Sequence, residues 1–263
     1  MTSLCGTSVT LLDFDIINDM RNIIAIGGGE IGRPGTSIET LSIDKEIIKA
    51  SGKTNPRLLF IPTASGDSES YAAVVEKYYG EKLGCKVETL YLTKKPYPQG
   101  ELERIVLGSN IIYVGGGNTL QMMKVWRKFN MHQILEKAER KGIVLSGLSA
   151  GGICWFKFGN SDSLKSANKN AKTIKVSGLN LVPGLFCPHY NVEKFRKQEL
   201  KEMLRGTKLK SIALDNCTAI HIKGSEFKIL KSKRDAKAYL AYWRNNKYFQ
   251  DELIAKKFSP IFW

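Results

Sequence analysis

At 263 residues the chain is long enough to bury a sizeable core in one large α/β unit, and no Pro- or Ser-rich linker, internal repeat or membrane-length apolar run interrupts it. A formal net charge of +15, from 40 Lys and Arg against 25 Asp and Glu, invites nucleic acid as a partner. The distribution argues against that class: the basic residues are spread along helical segments such as 194–201, among glutamates and apolar residues, which reads as a solvated helix face. No aromatic-interleaved recognition motif accompanies them, and the densest patch, 231–234, reads as the tip of a hairpin.

In chain order, the first twenty residues contain apolar stretches broken by Asp13, Asp15 and Asp19, with no basic start and no cleavage-like site, so no signal peptide is expected. Residues 1–21 read as an extension of unassigned role on one domain covering 1–263. Apolar runs at 22–26, 57–61, 86–90, 110–114 and 143–145 predict strands. Between them, 68–83 carries Tyr71, Val74, Val75, Tyr78 and Tyr79 at helical spacing, and 119–137 carries Leu120, Met123, Val125, Trp126 and Leu135. Strands alternating with helices predict an α/β fold with a mostly parallel sheet covered on both faces. Beyond Pro183 the runs shorten, at 212–214, 219–222, 227–230 and 238–242, and predict a C-terminal hairpin region that extends the sheet at its far edge. The five cysteines, Cys5, Cys85, Cys154, Cys187 and Cys217, are odd in number and scattered without a C-x-x-C pair. They read as reduced thiols of a cytoplasmic protein rather than a disulfide frame or a zinc site.

The segment Gly147-Leu148-Ser149-Ala150-Gly151 follows the strand at 143–145 and precedes apolar residues that can open a helix. A serine on a tight strand-to-helix turn, with glycines two before and two after it, is a nucleophile elbow: side chains at the flanking positions would collide across the turn. Two glycine triplets also sit at strand ends, Gly27-Gly28-Gly29 and Gly115-Gly116-Gly117. Neither fits a dinucleotide fingerprint, because Arg33-Pro34-Gly35 interrupts the helix that should follow the first. The second triplet suits an oxyanion hole, where bare backbone N–H groups must approach a ligand oxygen.

A serine nucleophile needs a base, and the chain has three histidines. His132 falls on a helical stretch and reads as a surface residue; His221 would occupy the polar face of an alternating strand. His189 follows an apolar strand and Pro188, where a loop can lean over the elbow, and is the preferred base. The imidazole needs an acceptor on its second nitrogen, and both Asp215 and Asn216 are candidates. An α/β-hydrolase-type esterase would instead use Ser149, Asp162 and His221.

Taken together, Gly115-Gly116-Gly117-Asn118-Thr119, the Ser149 elbow, Pro188-His189-Tyr190 and 215–219 resemble the peptidase E and cyanophycinase family of serine peptidases. The resemblance runs from about residue 22 to 222. It implies a fold similar to class I glutamine amidotransferases, a flavodoxin-like three-layer sandwich. It also implies Ser149 as nucleophile, His189 as base, Gly117 and Ala150 as oxyanion hole, and substrate contacts near Gly116 and Asn118, with no cofactor and no metal. Where that family has glutamate after the Asp215-like residue, this chain has Asn216, which leaves three outcomes: Asn216 orients His189, Asp215 has taken over, or the protein is a weakened, ligand-binding homologue. The expected partner is a small peptide, with N-terminal Asp implied by the resemblance; neither nucleic acid nor membrane is expected, and a homodimer is compatible. Arg33 and Lys157 are candidates for pairing a substrate carboxylate.

Overall fold

The computed structural model describes residues 20–192 and 195–261. Strands β1 (Asn22–Ile26), β2 (Arg57–Ile61), β3 (Lys86–Thr89), β4 (Ile111–Val114) and β5 (Val144–Leu148) pair in parallel in the order β1-β5-β4-β2-β3. Alternate residues of these strands face opposite layers. Ile24, Ile26, Leu58, Phe60 and Tyr113 pack with Ile43 and Ile47 of α1 (Leu41–Ala50) and with Ala72 and Val75 of α2 (Glu69–Val75). Ile23, Leu59, Ile112, Val114 and Leu145 pack on the other side with α3 (Gln99–Leu107), α4 (Thr119–Lys128) and α5 (Met131–Arg140) through Val106, Trp126 and Leu135. Burial on both faces explains why these strands read as unbroken apolar runs. The expected three-layer sandwich is present.

Two helical expectations are refined. The stripe at 68–83 is α2 continued by a π-helical stretch, Glu76–Lys82. The stripe at 119–137 is two helices, because Asn130 takes a left-handed conformation (φ 51°) between α4 and α5.

The C-terminal strands depart from the single extended sheet. β10 (Thr218–Lys223) pairs antiparallel with β1, β11 (Glu226–Lys231) with β10, and β14 (Ser259–Pro260) with β11, so this hairpin enlarges the first sheet beside β1. A second sheet, in the order β13-β12-β9-β8-β6-β7, is built from β6 (Phe156–Ser161), β7 (Ile174–Ser177), β8 (Val182–Cys187), β9 (Lys210–Leu214), β12 (Ala238–Arg244) and β13 (Lys247–Glu252). The runs at 212–214 and 238–242 therefore belong to a different sheet from 219–222 and 227–230. Residues 232–237 carry the chain from one sheet to the other, so the basic patch at 231–234 is a crossover rather than a hairpin tip. Two apolar faces make the second sheet necessary. Phe156, Phe186, Ile212 and Leu214 join the cluster that holds Trp126, while Leu185, Cys187, Ala213 and Ala241 cover Leu200 and Leu204 of α7 (Arg196–Leu204). On α7 the solvated-face reading fails at Arg196, which is buried and donates from Nη1 to Asn160 Oδ1 at 2.7 Å.

Among the described residues no helix is long and apolar enough to cross a membrane. Cys85, Cys154, Cys187 and Cys217 are all buried; Cys5 lies outside the described residues.

Candidate active site

β5 ends at Leu148, and Ser149 (φ 56°, ψ −109°) turns the chain into α6 (Ala150–Ile153), a single turn of helix rather than a long one, because β6 of the second sheet begins three residues later. The glycines around the serine are sterically required. A Cβ on Gly147 would lie 2.4 Å from Gly151 O, and one on Gly151 would lie 2.0 Å from Val114 O. The Ser149 N–H donates to Ile26 O at 3.1 Å, which ties the elbow to the end of β1.

That end of β1 is the seam on which the other groups converge. The His189 N–H donates to Gly27 O at 2.9 Å, the Cys217 N–H to Gly28 O at 2.8 Å, and the Gly27 N–H to Thr218 O at 2.9 Å. β8 delivers His189, in a left-handed conformation at φ 53°, and the turn between β9 and β10 delivers Asn216. His189 Nε2 lies 2.8 Å from Ser149 Oγ and His189 Nδ1 lies 2.7 Å from Asn216 Oδ1. The Asn216 N–H donates to Asn191 Oδ1 at 2.9 Å, which holds the anchor itself in place. Gly28 leaves room for the pair: a Cβ there would sit 2.1 Å from Asn216 Oδ1 and 2.5 Å from His189 Nδ1. The sequence reading missed this role of the first triplet. Its signal was a glycine run at a strand end without the spacing of a nucleotide loop.

Of the two candidate anchors, Asn216 meets the imidazole and Asp215 does not. The Asp215 carboxylate is buried and turned toward the crossover, where Oδ2 accepts the Lys237 N–H at 2.9 Å; burial raises its pKa. His221 is buried too, against the expected polar face of a strand. Its Nε2 meets Asn22 Oδ1 at 2.9 Å at the opposite end of β1, and burial lowers its pKa to about 4. Asp162 lies 3.7 Å from the Arg196 guanidinium. The esterase constellation of Ser149, Asp162 and His221 is therefore not assembled. His132 is exposed on α5, as expected.

A cleft of about 540 Å³ opens over the elbow, lined by Gly29, Glu30, Arg33, Tyr71, Gly116, Gly117, Leu148, Ser149, His189 and Asn216 among others. Asn118 stands apart from it: Oδ1 caps α4 by accepting the Gln121 N–H at 3.0 Å, and Nδ2 donates to Ser163 O at 2.9 Å, so the amide is committed to structure. Lys157 is exposed on β6 over the Phe158 ring and does not line the cleft. Arg33 does line it, held by Glu30 through Nε to Oε2 at 2.8 Å and through Nη2 to Oε1; this bonding lowers the Glu30 pKa. Among the described residues the N–H groups of Gly117 and Ala150 have no hydrogen-bond partner. The arrangement can pass a proton from a hydroxyl to an imidazole beside two open backbone donors.

The model of peptidase family S51 matches residues 22–230. The chain belongs to peptidase family S51. The matched stretch holds strands of both sheets and the Ser149, His189 and Asn216 segments, while β12, β13 and β14 lie beyond it. It is 37% identical over 226 residues to "uncharacterized peptidase YgaJ" of Bacillus subtilis (strain 168), covering 84% of this chain and 91% of that protein. Peptidase E of Streptomyces coelicolor is 24% identical over 193 residues, covering 70% and 74% respectively. In fold it is similar to the crystal structure of a peptidase from an acI-B1 actinobacterium, with a TM-score of 0.69 over 92% of this chain and 97% of the other at 19% identity. This S51 chain is a peptidase.

Proposed function

We propose that the protein is a serine peptidase that hydrolyses short peptides through an acyl-enzyme. The observation that carries the reading is the unbroken hydrogen-bonded line Ser149–His189–Asn216 beside an open cleft. With Asn216 Oδ1 as acceptor, the imidazole keeps its proton on Nδ1 and presents Nε2 to the Ser149 hydroxyl. Oγ attacks the peptide carbonyl, its proton passes to Nε2, and the developing oxyanion is met by the Gly117 and Ala150 N–H groups. His189 then protonates the departing amine, and water repeats the sequence on the ester. Asn216 orients the ring without the negative charge that would stabilise an imidazolium, so the reaction is slower than a carboxylate anchor would allow.

The substrates we infer are dipeptides and other small peptides with N-terminal Asp. A relative named peptidase E supports this class, as does the Arg33 guanidinium on the cleft wall. A panel of dipeptides with N-terminal Asp, Glu, Asn, β-Asp and neutral residues tests it. Asp-led peptides are expected to be cleaved fastest, Ser149→Ala to abolish turnover, and Arg33→Ala to remove the preference while leaving Ser149 reactive. Turnover that survives Ser149→Ala would sink the proposal.

A further inference from the structure

Tyr71, on α2, reaches the glycine loop with both its ring and its hydroxyl, whereas Phe60 meets Gly115 with its ring alone. The loop between β4 and α4 is pinned residue by residue. The Gly115 N–H donates to Ile61 O at 3.1 Å, and a Cβ on Gly115 would lie 2.9 Å from Tyr71 Cε1. The Gly116 N–H donates to Tyr71 Oη at 3.4 Å. Gly117 sits against backbone, where a Cβ would lie 2.2 Å from Ala64 O, and the Asn118 N–H donates to Ala64 O at 2.7 Å. Of these four N–H groups only that of Gly117 is left open. Gly116 itself faces the elbow, since a Cβ there would lie 3.6 Å from Ser149 Cβ.

We propose that Tyr71 is a positioning residue for the acyl-transfer reaction: its hydroxyl holds the Gly116 peptide so that the open Gly117 N–H is presented to the oxyanion formed at Ser149. This inference rests on the serine peptidase reading and deepens it. The ring is fixed independently of the hydroxyl, by an edge contact with Phe60 at a centroid distance of 5.0 Å and by Gly115, so Tyr71→Phe removes the hydrogen bond and leaves the packing. Burial raises the Tyr71 pKa to about 12, so the hydroxyl is neutral across the working pH range.

The test uses a fluorophosphonate probe on the full chain and needs no knowledge of the natural peptide. Ser149 Oγ forms a bond to phosphorus, fluoride leaves with the P–F electron pair, and the hydroxyl proton passes to His189, while the phosphoryl oxygen occupies the oxyanion position. Saturation kinetics separate the maximal labelling rate from the half-saturating probe concentration. Tyr71→Phe is expected to lower the maximal rate about ten- to hundredfold, less than the loss of an oxyanion donor itself, with half-saturation within about threefold of wild type. A thermal melt on the same samples is expected to show a folded variant close to wild type. An unchanged maximal rate in Tyr71→Phe, with the wild type labelled at Ser149, would overturn the role of Tyr71 and leave the peptidase reading intact. If the wild type is not labelled at Ser149, both fall.

Discussion

At the C-terminal end of β1, His189 lies between Ser149 at 2.8 Å and Asn216 at 2.7 Å and borders an open cleft. At the N-terminal end of the same strand, His221 meets Asn22 at 2.9 Å but is sealed in, its ring edge-on to Phe258 at 5.1 Å. Both histidines have an asparagine side-chain carbonyl as partner, so the amide does not distinguish them. The difference lies at the second nitrogen and in the surroundings. His189 presents its other nitrogen to a hydroxyl on a strained turn, whereas His221 Nδ1 has no hydrogen bond and stands 3.9 Å from Glu46 Oε1 beside Lys228. Burial and the neighbouring ammonium keep His221 neutral.

Removing each ring in turn gives the largest expected difference. His189→Ala is expected to lower turnover by about 10⁴-fold, while His221→Gln leaves it within about twofold, measured as steady-state hydrolysis of the best dipeptide. Equal losses would mean that the seam at β1 is not what selects the base. Next in size is Gly28→Ala, whose Cβ must displace both Asn216 and His189. A misplacement of about 1 Å is expected to cost about a hundredfold in kcat, with the labelled serine still on the elbow.

Asn216→Ala frees the ring and is expected to reduce kcat roughly tenfold or more, whereas Asp215→Asn, whose target carboxylate faces Lys237, changes it by less than about twofold. Asn216→Asp adds charge at Nδ1 and is expected to raise kcat severalfold. A larger effect at 215 than at 216 would transfer the anchoring role to the carboxylate.

The last effect is on stability rather than on rate, at the other end of β1. The folded pKa of His221, about 4, lies below its ordinary value of 6.5, so between those values the unfolded chain binds the extra proton. Its contribution is full above about pH 6.5 and is lost as pH falls toward 4, up to about 3 kcal/mol by linkage. His221→Gln should flatten that part of the pH–stability curve in denaturant titrations.

Much of the site was legible because its parts are local. The elbow is read from Gly147, Ser149 and Gly151 alone, since the atoms those glycines must avoid belong to the turn and to the neighbouring strand β4. The five parallel strands are read from apolar runs that burial on both faces demands. The second sheet was not legible. Runs such as 212–214 and 219–222 have the same local pattern, and which sheet each joins depends on partners far away in the chain. The role of Gly27 and Gly28 was hidden for the same reason, because the side chain and backbone groups they accommodate lie more than 150 residues downstream.

By itself, then, the sequence determined the alternating α/β core, the strained serine turn and the short set of histidines able to serve it, because periodicity and steric necessity act over a few residues. Tertiary structure alone put Asn216 rather than Asp215 against the imidazole, left Asn118 to cap a helix, and set His189 and His221 at opposite ends of β1. Those choices depend on where strands β8, β9 and β10 end relative to β1, and hydrogen-bond reach of about 3 Å is set by packing rather than by position along the chain.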